Sequence, residues 1–338
     1  MIVGLKWIGS LEHYESVITE NPIEEIWHLI DLFTADETIA ECNPPVNNDL
    51  VPFICESIVQ AEEFRTSASI SGEHTKPLLT YYCIHNLTKA VLALETNCKP
   101  AGYHGLMKVE IPPNGNLLDI SAQINEGVFW EFLQLNKVAP VKNLKITVDS
   151  LIKRCGYLIR EYNFAYRKTS EALVPRLVAD IGLNELELTI DNFDASVKDN
   201  WIRLFPKLTE YFELAESRDQ VLIFKLKENI PKGNLVNIQK VLDDVLIYSV
   251  FKNPPYFLIP VTDPDLLWPQ EAYLYALSFI LCSLVRYYPD YWYKNVIGYK
   301  RNRWAIRKIN SIVERVYPNL MINIMYNYKF HRFITADF

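Results

Sequence analysis

Five polar residues that lie in or beside apolar segments are the candidates for chemistry in this chain. Scattered polar groups of this kind either satisfy buried backbone groups or converge on a ligand. If they converge, the cationic members among them suit an anion such as a phosphate or a carboxylate. If they do not, each is satisfied separately by a nearby carbonyl or an acidic partner, and the sequence leaves both alternatives open. The candidates for this anion pocket are Lys76, Asn86, Lys89, His104 and Arg286.

Three of these candidates belong to the stretch TKPLLTYYCIHNLTKAVLAL, residues 75–94. Its apolar residues recur with a near-helical period, and Pro77 stands in the first turn, where a missing N–H costs nothing. The spacing therefore predicts a helix over 75–94, near the centre of the molecule. Tyr81, His85 and Lys89 recur every four residues and form a more polar face of this helix. Asn86 lies between that face and the apolar stripe. Either the polar face meets solvent, or Asn86 and Lys89 point into an internal pocket.

Residues 269–288 form a second long pattern, which is apolar on nearly all sides and predicts a buried helix. Each of the two helices needs an apolar face on which to bury its own, so we expect them to pack against each other. Arg286 stands at the end of the second helix, where a cation must find a partner or reach water.

Motifs of well-known catalytic and nucleotide-binding sites are missing from the sequence. No G-x-x-x-x-G-K-[ST], G-x-G-x-x-G, G-x-S-x-G or H-E-x-x-H occurs, and no arginine precedes a histidine at the spacing typical of HEPN ribonucleases. The six cysteines show no C-x-x-C spacing. The sequence therefore predicts no metal site and no cofactor, and it leaves open whether the protein is an enzyme.

The charge and hydropathy of the chain limit which partners and which cellular location we expect. A net charge of −7 makes sequence-independent binding to a nucleic-acid duplex a poor expectation, although a nucleic-acid partner at a local basic patch stays open. The N-terminus lacks the pattern of a secretory signal, and the longest apolar run, 272–285, is too short to span a bilayer. We therefore expect a cytoplasmic protein without a membrane partner.

Helical spacing alternates with short stretches that favour strands. The predicted fold class is α+β, predominantly α-helical with small antiparallel sheet elements. Strands are predicted at 106–111 and 117–124 as a hairpin, and at 185–191, 220–227 and 256–261; further helices are predicted at 22–34, 51–67, 146–166 and 235–248. The chain is either a single large domain, 1–338, or two tightly packed lobes, 1–144 with the hairpin and 145–338 with the mixed middle and the helical C-terminal part.

Three blocks of sequence carry a resemblance to a known family. They are TKPLLTYYCIHNLTKAVLAL, the His104-Gly105-Leu106 segment and the late LVRYYPDYW. In these blocks the chain resembles the YaaC-like family of bacterial proteins, over residues 50–110 and 270–295. The family has no established reaction, so the resemblance implies no catalytic residues. It implies a soluble bacterial protein that is carried in mobile or defence-associated gene neighbourhoods.

Two functions of different classes are consistent with these observations. The first is a non-enzymatic or regulatory subunit that acts through protein contacts in a bacterial anti-phage defence or stress system. Its aromatic-rich C-terminal third is then the interface to a protein partner or to a second copy of the chain. The alternative is an effector enzyme, a nuclease or a nucleotide-processing one, whose site matches no known motif. Turnover of RNA, DNA or nucleotides that is lost on substitution of Lys89 or His104 would favour the enzyme.

Overall fold

The computed structural model describes residues 2–4, 14–40, 42, 45–180, 185–227, 235–251, 253–326 and 330–335. Its fold is α+β and predominantly helical, with small and mostly antiparallel sheets, as the sequence predicts. Of the helices in these ranges, none is long and apolar enough to cross a membrane.

The helices occupy both ends of the chain and flank the strands of the middle. They are Pro22–Asp31 (α1), Asp36–Ala40 (α2), Val51–Ile70 (α3), Lys76–Thr96 (α4), Val128–Leu135 (α5), Val148–Arg154 (α6), Ile159–Tyr166 (α7), Ala195–Leu204 (α8), Pro206–Tyr211 (α9), Leu235–Val245 (α10), Gln270–Tyr287 (α11), Pro289–Tyr291 (α12) and Lys300–Met325 (α13). A π-helical segment, Trp292–Ile297, joins α12 to α13. Short 3₁₀ turns occur at Leu32–Thr34, Asn48–Leu50, Leu117–Asp119, Gly156–Leu158 and Pro264–Leu266.

The strands form a larger sheet and several small ones. They are Ile2–Gly4 (β1), Tyr14–Thr19 (β2), His104–Glu110 (β3), Ser121–Gly127 (β4), Lys145–Thr147 (β5), Arg176–Asp180 (β6), Glu185–Asp191 (β7), Phe212–Arg218 (β8), Val221–Leu226 (β9), Ile247–Tyr248 (β10), Tyr256–Phe257 (β11) and Phe330–Thr335 (β12). The described strands pair in the orders β1-β6-β7-β9-β8, β3-β4-β5, β10-β11 and β12-β2. The last pair is parallel, and the others are antiparallel.

Helix α4 is the central element of the molecule, at the position that the sequence predicts. Helices α3, α11 and α13 all pack on it, so its buried residues face several directions. Tyr81 and His85, which the spacing assigns to a more polar face, are buried as a result. The helix ends at Asn97, whose φ of 53° is the left-handed conformation common at helix C-termini.

The single helix predicted over 146–166 is wrong. The chain forms β5 and α6, then breaks at Cys155 and continues through a 3₁₀ turn into α7. Gly156 lies against the ring of Phe257, which a Cβ at this position would meet. The apolar spacing continues across the break, and the contact that imposes the break comes from a distant segment. This is why the pattern indicates one helix.

Two separate apolar cores lie in the described residues. The larger one takes side chains from residues 26–172 and 250–333, and the smaller one takes side chains from 173–258. The smaller core fills the space between the five-stranded sheet and helices α8–α10. The strand predicted at 256–261 is shorter, because it pairs with β10 at Tyr256–Phe257 alone and Pro260 has no N–H to continue a ladder. A division of the chain at residues 144 and 145 stays a prediction.

Candidate functional site

A cavity of about 290 Å³ opens between α4, β3 and α11. Its walls come from parts of the chain that are far apart in sequence and that meet around the central helix. We call it the tyrosine–histidine cavity. Its polar lining includes Tyr81, Tyr82, His104, Lys108, Arg286 and Tyr288.

Strand β3 brings two polar side chains to this cavity, beside irregularities in its pairing with β4. The hairpin is close to the predicted one, and its register shifts between His104 and Leu106 and again between Met107 and Glu110. Such bulges re-aim side chains out of the regular alternation of a strand. Gly105, in the first bulge, has a φ of 79° and lies so close to α5 that a Cβ would be 2.8 Å from the nitrogen of Phe129. A glycine is therefore required directly after the cavity histidine.

The second bulge places a lysine at the rim of the cavity. Lys108 has a φ of 49°, a left-handed conformation that is uncommon for a residue with a side chain. It is exposed, and it lines the cavity beside Val109. The two bulges together give β3 two polar contributions to one site.

A chain of four hydrogen-bonded side chains leads from the cavity into the core. Nδ1 of His104 lies 2.8 Å from the hydroxyl of Tyr81, which lies 3.3 Å from the hydroxyl of Tyr275. The hydroxyl of Tyr275 lies 2.7 Å from Nδ1 of His85. Tyr81 and His85 are one turn apart on α4, and Tyr275 faces them from α11. The packing of the two helices therefore assembles the chain.

The hydrogen bonds between these four side chains can run in either of two directions. Each tyrosine hydroxyl both donates and accepts when all the bonds run the same way. In one direction His104 donates to Tyr81, Tyr81 to Tyr275 and Tyr275 to His85; in the other, every donation is reversed. Reversal exchanges the tautomers of both histidines. The proton position at the cavity is therefore coupled to that of a buried ring.

Burial keeps both histidines neutral. Burial first, and then the charges of His104 and Lys89, lower the pKa of His85 to about 3. Burial first, and then Arg286 and Lys89, also lower the pKa of His104. Burial raises the pKa of the two tyrosines of the chain. All four groups are therefore uncharged at neutral pH, and both hydrogen-bond directions are available to them.

The cavity carries positive charge that its lining does not balance. Nη1 of Arg286 donates to the hydroxyl of Tyr82 at 3.1 Å, and its guanidinium lies 4.9 Å from the ring centroid of Tyr287. No carboxylate is among the described residues that line the cavity. Neither Arg286 nor Lys108 forms an ion pair with any residue that the structure describes. A planar guanidinium with free donors beside a lysine suits a phosphate or a carboxylate.

Comparison with known proteins identifies the family. One family model, described as YaaC-like Protein, matches residues 47–325. The chain belongs to the YaaC-like family. The match includes the middle of the chain, where the resemblance of individual blocks is weak. Neither the curated proteins nor the solved structures give a match.

Two of the five candidate residues line the cavity of this YaaC-like protein, namely His104 and Arg286. Lys76 instead forms an ion pair with Glu314 on α13, with a distance of 2.8 Å between Nζ and Oε1. The acidic partner that the sequence analysis offered as the alternative to a ligand is therefore present for Lys76. It ties the start of α4 to α13.

The other two candidates bind each other. Nζ of Lys89 donates to Oδ1 of Asn86 at 2.9 Å and lies 5.6 Å from the ring centroid of Phe53. The charge of Lys89 still acts on the histidines, since it contributes to the lowered pKa of His85. One pocket for all five candidates stays a prediction. In the part of the chain that the structure describes, no group of His, Cys, Asp and Glu side chains could hold a metal ion.

The cavity also uses residues that the sequence analysis did not select. The spacing of Tyr81 and His85 on α4 is a signal that could have identified them. Tyr275 gives no such signal, because it is one of many large residues in an all-round apolar helix. Lys108 gives none either, because a strand bulge leaves no mark in the spacing. The residues missed are Tyr81, Tyr82, His85, Lys108 and Tyr275.

A larger cavity, of about 360 Å³, lies between α6, α7 and α8. We call it the ion-pair cleft, because its charged groups meet each other. Glu171 accepts from Lys153 at 2.5 Å and from Arg154 at 2.9 Å. Lys168 pairs with Asp149 at 2.9 Å. The described lining contains as many acidic as basic side chains, so the cleft presents little net charge to a ligand.

Proposed function

We propose that this YaaC-like protein binds a small anion, a phosphate or a carboxylate, in the tyrosine–histidine cavity and works as a regulatory subunit. One observation carries the proposal: Arg286 and Lys108 line a cavity with no described carboxylate to balance them. Both cations are exposed, and no ion pair among the described residues competes with an anionic ligand for their charges. The proposed setting is a bacterial defence or stress system, which the family resemblance implies.

Protein contacts are the proposed output of this subunit. Tyr287 and Tyr288 line the cavity, and Tyr287 is 61% exposed at the same time. Tyr293 and Tyr299 are also exposed in the segment that follows. Tyrosine is enriched where proteins meet, and Arg286 stacks on the first of these rings. An anion that engages the arginine would therefore alter the surface that a partner contacts.

Ligand-induced stabilisation tests the proposal. Purified protein is titrated with phosphate, nucleoside mono-, di- and triphosphates and dicarboxylates, and Tm and calorimetric Kd are measured. A ligand at about 100 times its Kd adds about 2.7 kcal/mol to the free energy of unfolding. We expect at least one anion to raise Tm in the wild type and to lose at least ~10-fold in affinity in Arg286→Ala.

Arg203→Ala is the matched control, because Arg203 lines the ion-pair cleft and not the proposed site. It is expected to bind the anion like the wild type. Equal binding by wild type and Arg286→Ala would contradict the proposed site, and so would the loss of binding in Arg203→Ala with Arg286→Ala intact. No stabilisation by any anion of the panel would contradict the proposed function.

A second candidate is an effector enzyme that processes a nucleotide or RNA in the same cavity. The hydrogen-bonded chain from His104 to His85 is the observation that favours it. A neutral histidine beside a bound anion can take a proton from attacking water and return it to the leaving oxygen. Coupling of the two tautomers would let the buried histidine share in that transfer.

Turnover separates the two candidates. The protein is incubated with RNA, single-stranded DNA and nucleotides in the presence of Mg²⁺ or Mn²⁺. Product formation that is lost in His104→Phe but retained in His28→Phe, at an exposed histidine, would favour the enzyme. Anion binding without product formation would favour the regulatory subunit.

A further inference from the structure

A groove between α7 and α13 combines an exposed phenylalanine and a half-buried tryptophan with cations that form no ion pair among the described residues. Its volume is about 450 Å³, and its lining includes Phe164, Arg167, Lys300, Arg301 and Trp304. We propose that this groove, which we call the aromatic–basic groove, binds single-stranded nucleic acid. A base stacks on the exposed ring of Phe164, and the phosphates on either side of it meet the cations.

The aromatic pair offers a face on which a base can stack. Phe164 is 71% exposed in the last turn of α7. Its ring centroid lies 5.0 Å from that of Trp304 on α13, with 53° between the ring planes. The pair is therefore held in place from the α13 side while much of the phenyl ring stays open to solvent. Every base has a face that stacks on such rings, whatever its identity.

The two groove cations on α13, Lys300 and Arg301, are not explained by the stability of that helix. Residues 300–303 form the first turn of α13 and contain three basic side chains and no acidic one. Positive charge at this end opposes the helix dipole and destabilises the helix. Lys300, Arg301 and the neighbouring Arg167 form no ion pair among the described residues, and no carboxylate lines the groove there.

Neighbouring arginines of the same helix behave differently. Arg303 pairs with Glu73 at 2.7 Å, and Arg307 pairs with the same carboxylate. The chain thus neutralises the cations that hold α13 to the turn before α4. The three cations around the groove have no ion-pair partner in the described part of the chain, and they line the groove beside the exposed ring.

Single strands fit this groove better than the other polyanions. In a duplex the base faces are covered by their neighbours, so the two rings would have nothing to stack on. An acidic peptide would match the charges but not the aromatic pair. The net charge of −7 repels nucleic acid at long range, which limits binding to a short segment. Binding should weaken with salt, because each cation–phosphate contact releases a counterion from the strand.

Fluorescence anisotropy with labelled oligonucleotides tests the proposal. A single strand of about 12 nucleotides, the corresponding duplex and an acidic peptide of equal charge are titrated at about 50 mM and about 200 mM salt. We expect the single strand to bind more tightly than the duplex and the peptide. Phe164→Ala is expected to weaken it by about 5- to 100-fold, and Arg301→Ala to weaken it and reduce the salt slope by about 0.7.

Matched controls come from the same chain. Tyr103→Ala removes a ring with the same exposed fraction as Phe164, and Lys142→Ala removes an exposed lysine that pairs with Glu126. Both are expected to bind like the wild type. Binding by Phe164→Ala equal to that of wild type would overturn the proposal. Equal or tighter binding of the duplex or the peptide would overturn it as well.

Discussion

The tyrosine–histidine cavity and the ion-pair cleft differ in how their charges are matched. The smaller cavity has Lys108 and Arg286 in its lining with no described carboxylate opposite them. The larger cleft has its lysines matched by Glu171 and Asp149. Charges that are paired within the fold serve its stability, whereas charges that the fold leaves unpaired are available to a ligand. Volume alone would favour the larger cleft, whereas the pattern of ion pairs favours the smaller cavity.

The first prediction concerns the contribution of α4, which forms one wall of the smaller cavity, to the stability of the core. Leu87 of α4 is 0% exposed, so Leu87→Ala should lower the free energy of unfolding by about 2–5 kcal/mol. Val59→Ala is the control, since Val59 is 42% exposed and its loss should cost less than about 1 kcal/mol. Urea denaturation measures both. Equal costs would mean that α4 does not form the centre of the core.

The second prediction compares the loss of a paired carboxylate in the ion-pair cleft with the loss of an arginine in the tyrosine–histidine cavity. Glu171→Gln removes the carboxylate from Arg154, whose side chain is 7% exposed. We expect it to lower the free energy of unfolding by about 2–4 kcal/mol and to leave anion binding unchanged. Arg286→Ala should cost less than about 1 kcal/mol, because this arginine has no ion pair among the described residues to lose. Urea denaturation of the two variants measures both changes in the free energy of unfolding. A larger loss in Arg286→Ala than in Glu171→Gln would contradict the assignment of paired charges to stability and unpaired charges to a ligand.

The third prediction concerns pH. The folded pKa of His85 is lowered to about 3, and an unfolded histidine titrates at about 6.5. Between these values the unfolded chain binds a proton that the folded chain does not. The free energy of unfolding should therefore fall as pH falls below about 6.5, by at most about 1.4 kcal/mol per pH unit from this group.

His85→Gln removes this contribution and keeps a side chain that can bond Tyr275. Urea denaturation at about pH 7 and about pH 5 measures the difference between wild type and variant. That difference should change with pH in the direction that favours the variant at low pH. The exposed His28→Gln is the control and should follow the wild type. A constant difference between wild type and His85→Gln would contradict a neutral, buried His85.

The sequence predicts the parts of the fold that depend on local spacing. The periodic spacing of apolar residues predicts helices α4 and α11. Their packing follows because each helix must bury its apolar face against another element. The break at Gly156 and the short strand at Tyr256–Phe257 depend on contacts between distant segments. Such contacts leave no trace in the spacing on either side.

The sequence selects only some of the residues that line the cavity, because the others depend on contacts between distant segments. His104 and Arg286 stand out as polar residues next to apolar runs, and both line the cavity. Lys76 stands out equally, but its partner Glu314 belongs to a helix that the sequence does not place beside it. The hydrogen-bonded chain through Tyr275 needs two helices to meet at a given rotation, which no single stretch of sequence specifies.

The location of a bound anion tests the central claim most directly. Crystals soaked in selenate or tungstate give anomalous density at the position of the ion. We expect density at the guanidinium of Arg286, within reach of His104 or Lys108, in the wild type and its absence in Arg286→Ala. Density in the ion-pair cleft with the tyrosine–histidine cavity empty would contradict it.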